Sequence, residues 1–512
     1  MRCMGSFRFV VLVIGMGWCI QSAIAQNQVD VFRLSYDMFV PSARAQGMGG
    51  AFGAIGADPS SAFINPAGVG LYKTSAMDLG VQLISRTQQA RFNGTDGEQK
   101  NTDLDVMLPI DHFTWVRSYP TKNKDWRMFN IALSHGKLAM YQKNFEISAN
   151  TQGTSRLDAF AVEAQGYNFG ELNSIRPFSA GLAWQTYGID TLPGSTNTYY
   201  SNYYGGNVQQ SQMVAQDGKK SDFGGVFSAN YRDQLYLGMS LSLQSVSFSE
   251  KIIHQEKFPD TGEILQLMEY STELEMQGTS AQWRWGVIWI PERYPWARLG
   301  LAYHSGVNFY CTDNYFADMT TQFTGANYQY SSPINELNYY IRTPRKWQLN
   351  TAFNVGDRWL LAGDVEQQDF RKGNIEGAGS NTYGYQSENS LIEEQGNLCT
   401  RLRLGVEFRA IGPLRLRAGW DYQSAPYAQM QALQQFHAGI GVRAERFFID
   451  ASLSLGGQQQ TWYMYDSRLV AAAQIHTFQT SGRLSVGWRL SDFHQQEDPQ
   501  ELTPKGSGTG DF

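Results

Sequence analysis

Arginine is the residue type whose spacing first suggests chemistry in this sequence. Arg401, Arg403 and Arg409 alternate along one stretch with Glu407, and Arg415 and Arg417 alternate along the next with Asp421. Arg443, Arg483 and Arg489 continue the pattern, and Asp364, Glu366 and Asp450 supply opposite charge at similar positions. A guanidinium binds a carboxylate through two parallel N–H bonds, so such rows suit either the grip of an anionic solute or a lattice of internal ion pairs. The acids interspersed with the arginines favour pairing between the two and with another part of the chain. Reaction chemistry is not in view, because the sequence has no H-E-x-x-H, G-x-S-x-G or Walker pattern. The seven histidines are scattered, and His437 sits alone in a charged row, where a packed polar role suits it better than a ligand role. No catalytic residue, metal site or cofactor is expected, and paired axial ligands for a haem do not stand out.

The charged rows lie on alternating segments. Leu402, Leu404, Val406 and Phe408 interleave with the first set of arginines, and Leu414, Leu416, Ala418 and Trp420 with the second. A short turn, Ala410-Ile411-Gly412-Pro413, joins the two. Strands with one oily and one charged face fit a membrane barrel, where alternate side chains meet lipid and lumen. Similar hairpins turn at Arg232-Asp233, Gly356-Asp357-Arg358 and Ala444-Glu445-Arg446, and the five residues Pro291–Pro295 join another pair. Gly482–Leu490 forms the last strand. Between the short turns lie long polar connections, at 93–103, 148–220, 251–264, 311–335, 372–397 and 459–474. Short periplasmic turns alternating with long outer loops are the habit of outer-membrane barrels.

These elements predict an all-β, membrane-spanning antiparallel barrel of about fourteen strands over 76–490. Residues 149–219 are expected as a long outer loop with helices, because Leu157, Phe160, Ala161 and Ala164 follow a helical stripe and Pro177 can open a second helix. Reading 155–165 and 177–187 as strands would give sixteen. Only 17% of residues are charged, 13% are aromatic and 51 are Gly, a balance that suits an outer face in lipid. Acids (47) outnumber bases (41), so a nucleic-acid partner is not expected.

Residues 1–25 read as a signal peptide: Arg2 and Arg8, an apolar run from Phe9 to Ile20, then Ala23-Ile24-Ala25. Cys19 could mark lipidation, but the Met16-Gly17-Trp18 before it fits poorly. After cleavage only Cys311 and Cys399 remain, and their pairing is left open by the sequence. Residues 26–75 are compact and small, with a Gly-rich run from Gly47 to Gly56 and a short helix at Ser60–Phe63 ending at Asn65-Pro66. The run lacks G-x-G-x-x-G order and βαβ context, which excludes a dinucleotide site. A segment of this kind suits the inside of a barrel. Residues 491–512 are a polar tail.

The run from Ser42 to Ala51, containing Gly49 and Gly50, and the run Asn65-Pro66-Ala67-Gly68-Val69-Gly70 resemble the hatch of the FadL-type outer-membrane hydrocarbon transporters. The stretch from Arg342-Thr343-Pro344 to Asp364-Val365-Glu366 also resembles a hairpin of that family. The resemblance implies a hatch-gated passive transporter of long-chain fatty acids or other hydrophobic small molecules, monomeric, in contact with outer-membrane lipid. Barrels resembling this family also serve as assembly or secretion partners, which is the alternative. The tail departs from the family pattern, since such barrels finish on an aromatic-ended strand.

Overall fold

The computed structural model describes residues 28–38, 42–95, 97–203, 205–259, 264–379 and 384–490. The expected leader and polar tail lie outside the described residues. Fourteen antiparallel wall strands close into a barrel. They are β1 Ala76–Gly94, β2 Gly97–Met107 continued by Ile110–Pro120, and β3 Trp126–Met140 continued by Lys143–Gln152. Then follow β4 Asn207–Tyr231, β5 Leu235–Lys257, β6 Leu265–Trp289, and β7 Ala297–His304 continued by Asn308–Phe323. The circuit runs on through β8 Asn335–Arg342 with Lys346–Val355, β9 Trp359–Asp369, β10 Leu398–Arg409, β11 Leu414–Gln423, β12 Leu433–Arg443, β13 Phe447–Trp462 and β14 Ala473–Arg489. Closure comes from β14 pairing with β1, from Ala76 opposite Arg489 to Arg91 opposite Gln474.

Several strands are far longer than a membrane requires. β4 and β6 have 25 residues each, about 80 Å of chain, whereas a tilted strand crosses the hydrocarbon with ~9–11 residues. The side chains mark where the lipid ends. On β5, Leu237, Met239, Leu241 and Leu243 point outward and Ser240, Ser242 and Gln244 point inward. Past Gln244 the faces exchange character: Ser245, Ser247, Ser249 and Lys251 lie outside, while Val246 and Phe248 are buried inside. On β6, Trp283 and Trp289 face outward over buried Gln282 and Arg284, whereas Glu273 and Glu275 face outward over buried Leu274 and Met276. Lipid and charged lumen therefore bracket the turn-side half of the wall. Beyond it, water lies outside and the lumen is apolar at the level of Val246, Phe248, Leu274 and Met276, with polar groups such as His254 and Glu256 buried further along.

This exchange corrects the loop lengths drawn from the sequence. The connection expected at 93–103 is a tight turn, since Asn93 already opposes Glu98. β5 runs to Lys257 and β7 to Phe323. The outer loop expected at 149–219 spans 153–206, because polar residues after Asn207 continue the wall above the membrane. Its helices are α4 Arg156–Ala164, α5 Phe169–Ile175 and α6 Ala180–Gln185, when numbered after three in the N-terminal segment. The one near Pro177 begins three residues late, and the middle one lacked a stripe to reveal it. The last strand starts at Ala473 rather than Gly482. Cys311 and Cys399 are buried free thiols.

The N-terminal segment lies inside the wall. It consists of α1 Gln28–Ser35, α2 Ala43–Gly47, α3 Ser61–Ile64 and a 3-10 turn at Pro66–Leu71. Val31, Phe32 and Leu34 of α1 pack in the apolar upper lumen against Phe248, Phe309 and Tyr339. Ala45, Met48 and Phe52 pack lower down against Ala352, Leu360 and Ala362.

Candidate binding site and hatch

Asn65 opens the 3-10 turn. Its side-chain oxygen accepts from Ala67 N–H at 3.2 Å, and its amide donates to Gly53 O at 2.9 Å. Pro66 fits the first position of that turn because its missing N–H has no partner to lose. The strand wall makes room for this backbone with glycines. A side chain at Gly238 would overlap the backbone of Pro66 and Ala67, and one at Gly286 would strike Asn65. Gly68 packs closely on Ser61 and Gly56 in the same way. On the opposite wall Gly405 and Gly419 admit Met48 and Gly49. Gly49 and Gly50 have φ of +66° and +76°, a left-handed turn that glycine makes without strain. The wall glycines have no motif of their own. Their signal was a missing side chain in a charged lumen row, as at Gly405 between Arg403 and Glu407.

Most of the arginine rows form a buried ion-pair lattice tied to the hatch. Glu407 accepts from hatch residue Arg44 at 3.0 and 3.1 Å and from Arg417 at 2.6 Å. Arg417 also reaches Asp450 at 2.7 Å, as does Arg443. Arg401 clasps Asp421 and donates to hatch Asp37 O at 3.2 Å, while Arg403 pairs with Glu366 at 3.0 Å. Asp364 accepts the Phe52 and Gly53 N–H groups, both at 2.9 Å. Arg409 and Arg415 stand apart at the turn end, donating to main-chain carbonyls. His437 borders a small void with Gly49, Gly50 and Arg401. A second lock sits higher: Asp37 bridges Lys220 at 2.6 Å and Lys346 at 2.5 Å. Burial works against its charge, but the two lysines hold the Asp37 carboxyl well below the usual range.

Above the lattice lies a cavity of about 240 Å³ between α1 and the wall. Phe32, Met38, Tyr141, Tyr427, Met430 and Trp462 give it apolar surface. Phe32 stacks on Tyr427 at 4.6 Å, and burial pushes the Tyr427 hydroxyl up to about 12. Arg33, Arg86 and Lys143 supply cations against Glu250. Arg86 donates to Gln479 and to the carbonyls of Met140 and Gln142, and Lys143 to Gln460 at 2.6 Å, so their partners here are neutral. None of these cavity residues was singled out from the sequence. The cavity also borders a flaw in the wall. Among the described residues no backbone ladder joins Gly97–Met107 of β2 to Lys143–Gln152 of β3. Side chains bridge instead, Asn144 to Asp105 at 2.6 Å and Asn101 to Ser148 at 3.0 Å. Hatch residue Met38 donates its N–H to the open Leu138 carbonyl at 2.8 Å. Outside, Leu104, Val106, Leu108 and Ile110 are 62–75% exposed, an oily lip.

A closed fourteen-strand wall with an N-terminal plug meets a matching family model over residues 35–434, described as outer membrane protein transport protein (OMPP1/FadL/TodX). The chain belongs to the FadL/TodX family. It has the fold of that family's outer-membrane transporters of hydrophobic compounds, and the outer membrane is its place. Among solved structures, a FadL homologue of Pseudomonas aeruginosa is 13% identical, with a TM-score of 0.55 over 89% of this chain and 100% of that one. The toluene transporter TbuX of Ralstonia pickettii is 13% identical (TM-score 0.47, 90% and 100% covered). The toluene transporter TodX of Pseudomonas putida is 14% identical (TM-score 0.47, 88% and 99% covered). Comparison with curated proteins gives no significant match.

Proposed function

We propose that this FadL/TodX-family barrel passes long-chain fatty acids or similar amphiphiles inward without an energy source, with the hatch as its gate. The cavity beside α1 carries this reading, since it pairs an apolar body with Arg86 and Lys143, two cations whose hydrogen-bond partners are amides and carbonyls. A carboxylate can take them over without breaking an ion pair, and a few placed polar groups in an apolar pocket are what orients such ligands. Withdrawal of Met38 from Leu138 opens the way towards the unladdered wall between β2 and β3, where the Leu108 and Ile110 lip meets lipid. An alkyl chain leaving there never crosses water.

The double variant Arg86→Gln with Lys143→Gln tests the reading. Losing charge-assisted bonds worth ~1.5–3 kcal/mol should cut palmitate uptake by about 10- to 100-fold and leave toluene uptake near its original rate. Equal loss for both solutes, or none for either, counts against a carboxylate handle.

A further inference from the structure

A second cavity lies on the other side of the hatch. It holds about 690 Å³ at the turn end of the barrel, bounded by the 3-10 turn and the last turns of the wall. Leu71 and Tyr72 of the hatch and Phe448 of the wall give it an apolar floor. Its cations outnumber its acids: Arg44, Lys73, Arg409, Arg415, Arg443 and Arg489 against Glu407 and Glu445. Arg44 and Arg443 are committed to the ion-pair lattice, and Glu407 is held by two arginines. Three guanidiniums remain on the rim. Arg409 donates to Asp357 O, Arg415 to Gly412 O and Leu414 O at 2.8 and 2.9 Å, and Arg489 to Ala444 O and Glu445 O at 3.0 Å each. These bonds use one nitrogen of each guanidinium to brace a turn.

We propose that this vestibule is a second binding site, for an amphiphile with one anionic head and an acyl chain. The volume falls in the ~300–1,000 Å³ range of small-molecule sites. Turn carbonyls hold three planar forks at the rim, which is the preorganised arrangement that favours carboxylate and phosphate oxygens. The chain would lie on Leu71, Tyr72 and Phe448. Two sources share this chemistry, a free fatty carboxylate and an inner-leaflet phospholipid, each entering from the mouth. The site lies across the hatch from the α1 cavity, so it stands or falls separately from the transport reading.

The test uses full-length protein in lipid nanodiscs and three diazirine-bearing probes: palmitate, hexadecanol and phosphatidylglycerol. After illumination, labelled peptides are mapped by mass spectrometry. Palmitate is expected to label peptides holding Leu71–Tyr72 and Phe448, and the alcohol is not. The double variant Arg415→Gln with Arg489→Gln should lose at least about tenfold of that labelling, and the pair Arg86→Gln with Lys143→Gln should keep it. Labelling by phosphatidylglycerol but not palmitate supports the same anion site and assigns the leaflet as its source. The proposal is overturned if the alcohol labels as well as the acid, or if the rim variants change nothing. It is also overturned if labelling needs removal of residues 491–512, since the acids Asp492, Glu497, Asp498 and Glu501 of that tail would then be the occupant. Labelling here with none on Tyr427 or Met430 would sink the transport reading and leave this one standing.

Discussion

Gly238 shows how a residue with no side chain can hold a plug. Its position on β5 faces the lumen, and the Asn65-Pro66-Ala67 backbone occupies the space a Cβ would need. Gly238→Val should unseat the 3-10 turn, since strand and hatch backbone have no flexible end to yield. Faster amide exchange across residues 61–72 is expected, with Gly225→Ala as control, where the nearest neighbour is 3.9 Å away. Asp37 gives a charge-based counterpart. Asp37→Asn leaves Lys220 and Lys346 buried together, a loss near the lower end of ~3–5 kcal/mol because a quarter of the Asp37 side chain is accessible. The lysines depress its pKa, so the lock is fully present above the unfolded carboxyl value of ~3.9 and fades only as pH falls through the lower folded value. Protease resistance of the hatch should thus stay flat from about pH 8 to about pH 5 and drop in stronger acid. A midpoint near neutrality would refute this assignment. At this scale the sequence was legible where residue type dictates geometry, as with the Asn65-Pro66 start and the arginine rows. It was silent on Asp37, Arg86 and Lys143, whose partners lie more than 30 residues away or on other strands.

Strands carry two amphipathic phases in succession, and this explains both what the sequence revealed and what it hid. Where lipid lies outside, alternation is oily-out and charged-in, a pattern strong enough to place five turn hairpins, though not the one at residues 121–125 between β2 and β3. Beyond the membrane the outside turns polar and the inside apolar, as at Ser245–Phe248, so a reading keyed to oily-out alternation ends the strand early. The flip predicts a sharp energetic boundary. Leu241→Arg puts a cation in hydrocarbon and should cost about 2–4 kcal/mol, whereas Ser249→Arg, on the same outward face of β5, should cost about 0–1. Urea unfolding into detergent-free buffer from lipid vesicles measures both. Equal costs would mean that lipid reaches Ser249 and that the boundary at Gln244 is misplaced. The same flip makes the upper lumen apolar, which is why α1 can bury Val31, Phe32 and Leu34 there.

Taken as a whole, the molecule separates a wall that folds by its own hydrogen bonds from a plug that docks onto it. Every wall strand, β14 to β1 included, is laddered to its neighbours along at least part of its length, so closure needs nothing from residues 26–75. Removing the plug exposes Glu407, Asp364 and Lys346 to lumen water. A hydrated charge costs far less than a buried unpaired one, so the shortened barrel should still insert and resist heat in detergent. What it should lose is tightness. The hatch backbone runs through the charged level of the lumen from Gly47 to Gly70 and packs against Ala352, Leu360 and Ala362, with a void of about 30 Å³ beside Gly49 and Gly50. Vesicles holding the chain without residues 26–75 should therefore leak a small sugar such as arabinose, and vesicles holding the full mature chain should not. If the shortened barrel folds yet retains the sugar, the loops rather than the hatch seal this pore, and gating by the hatch is wrong.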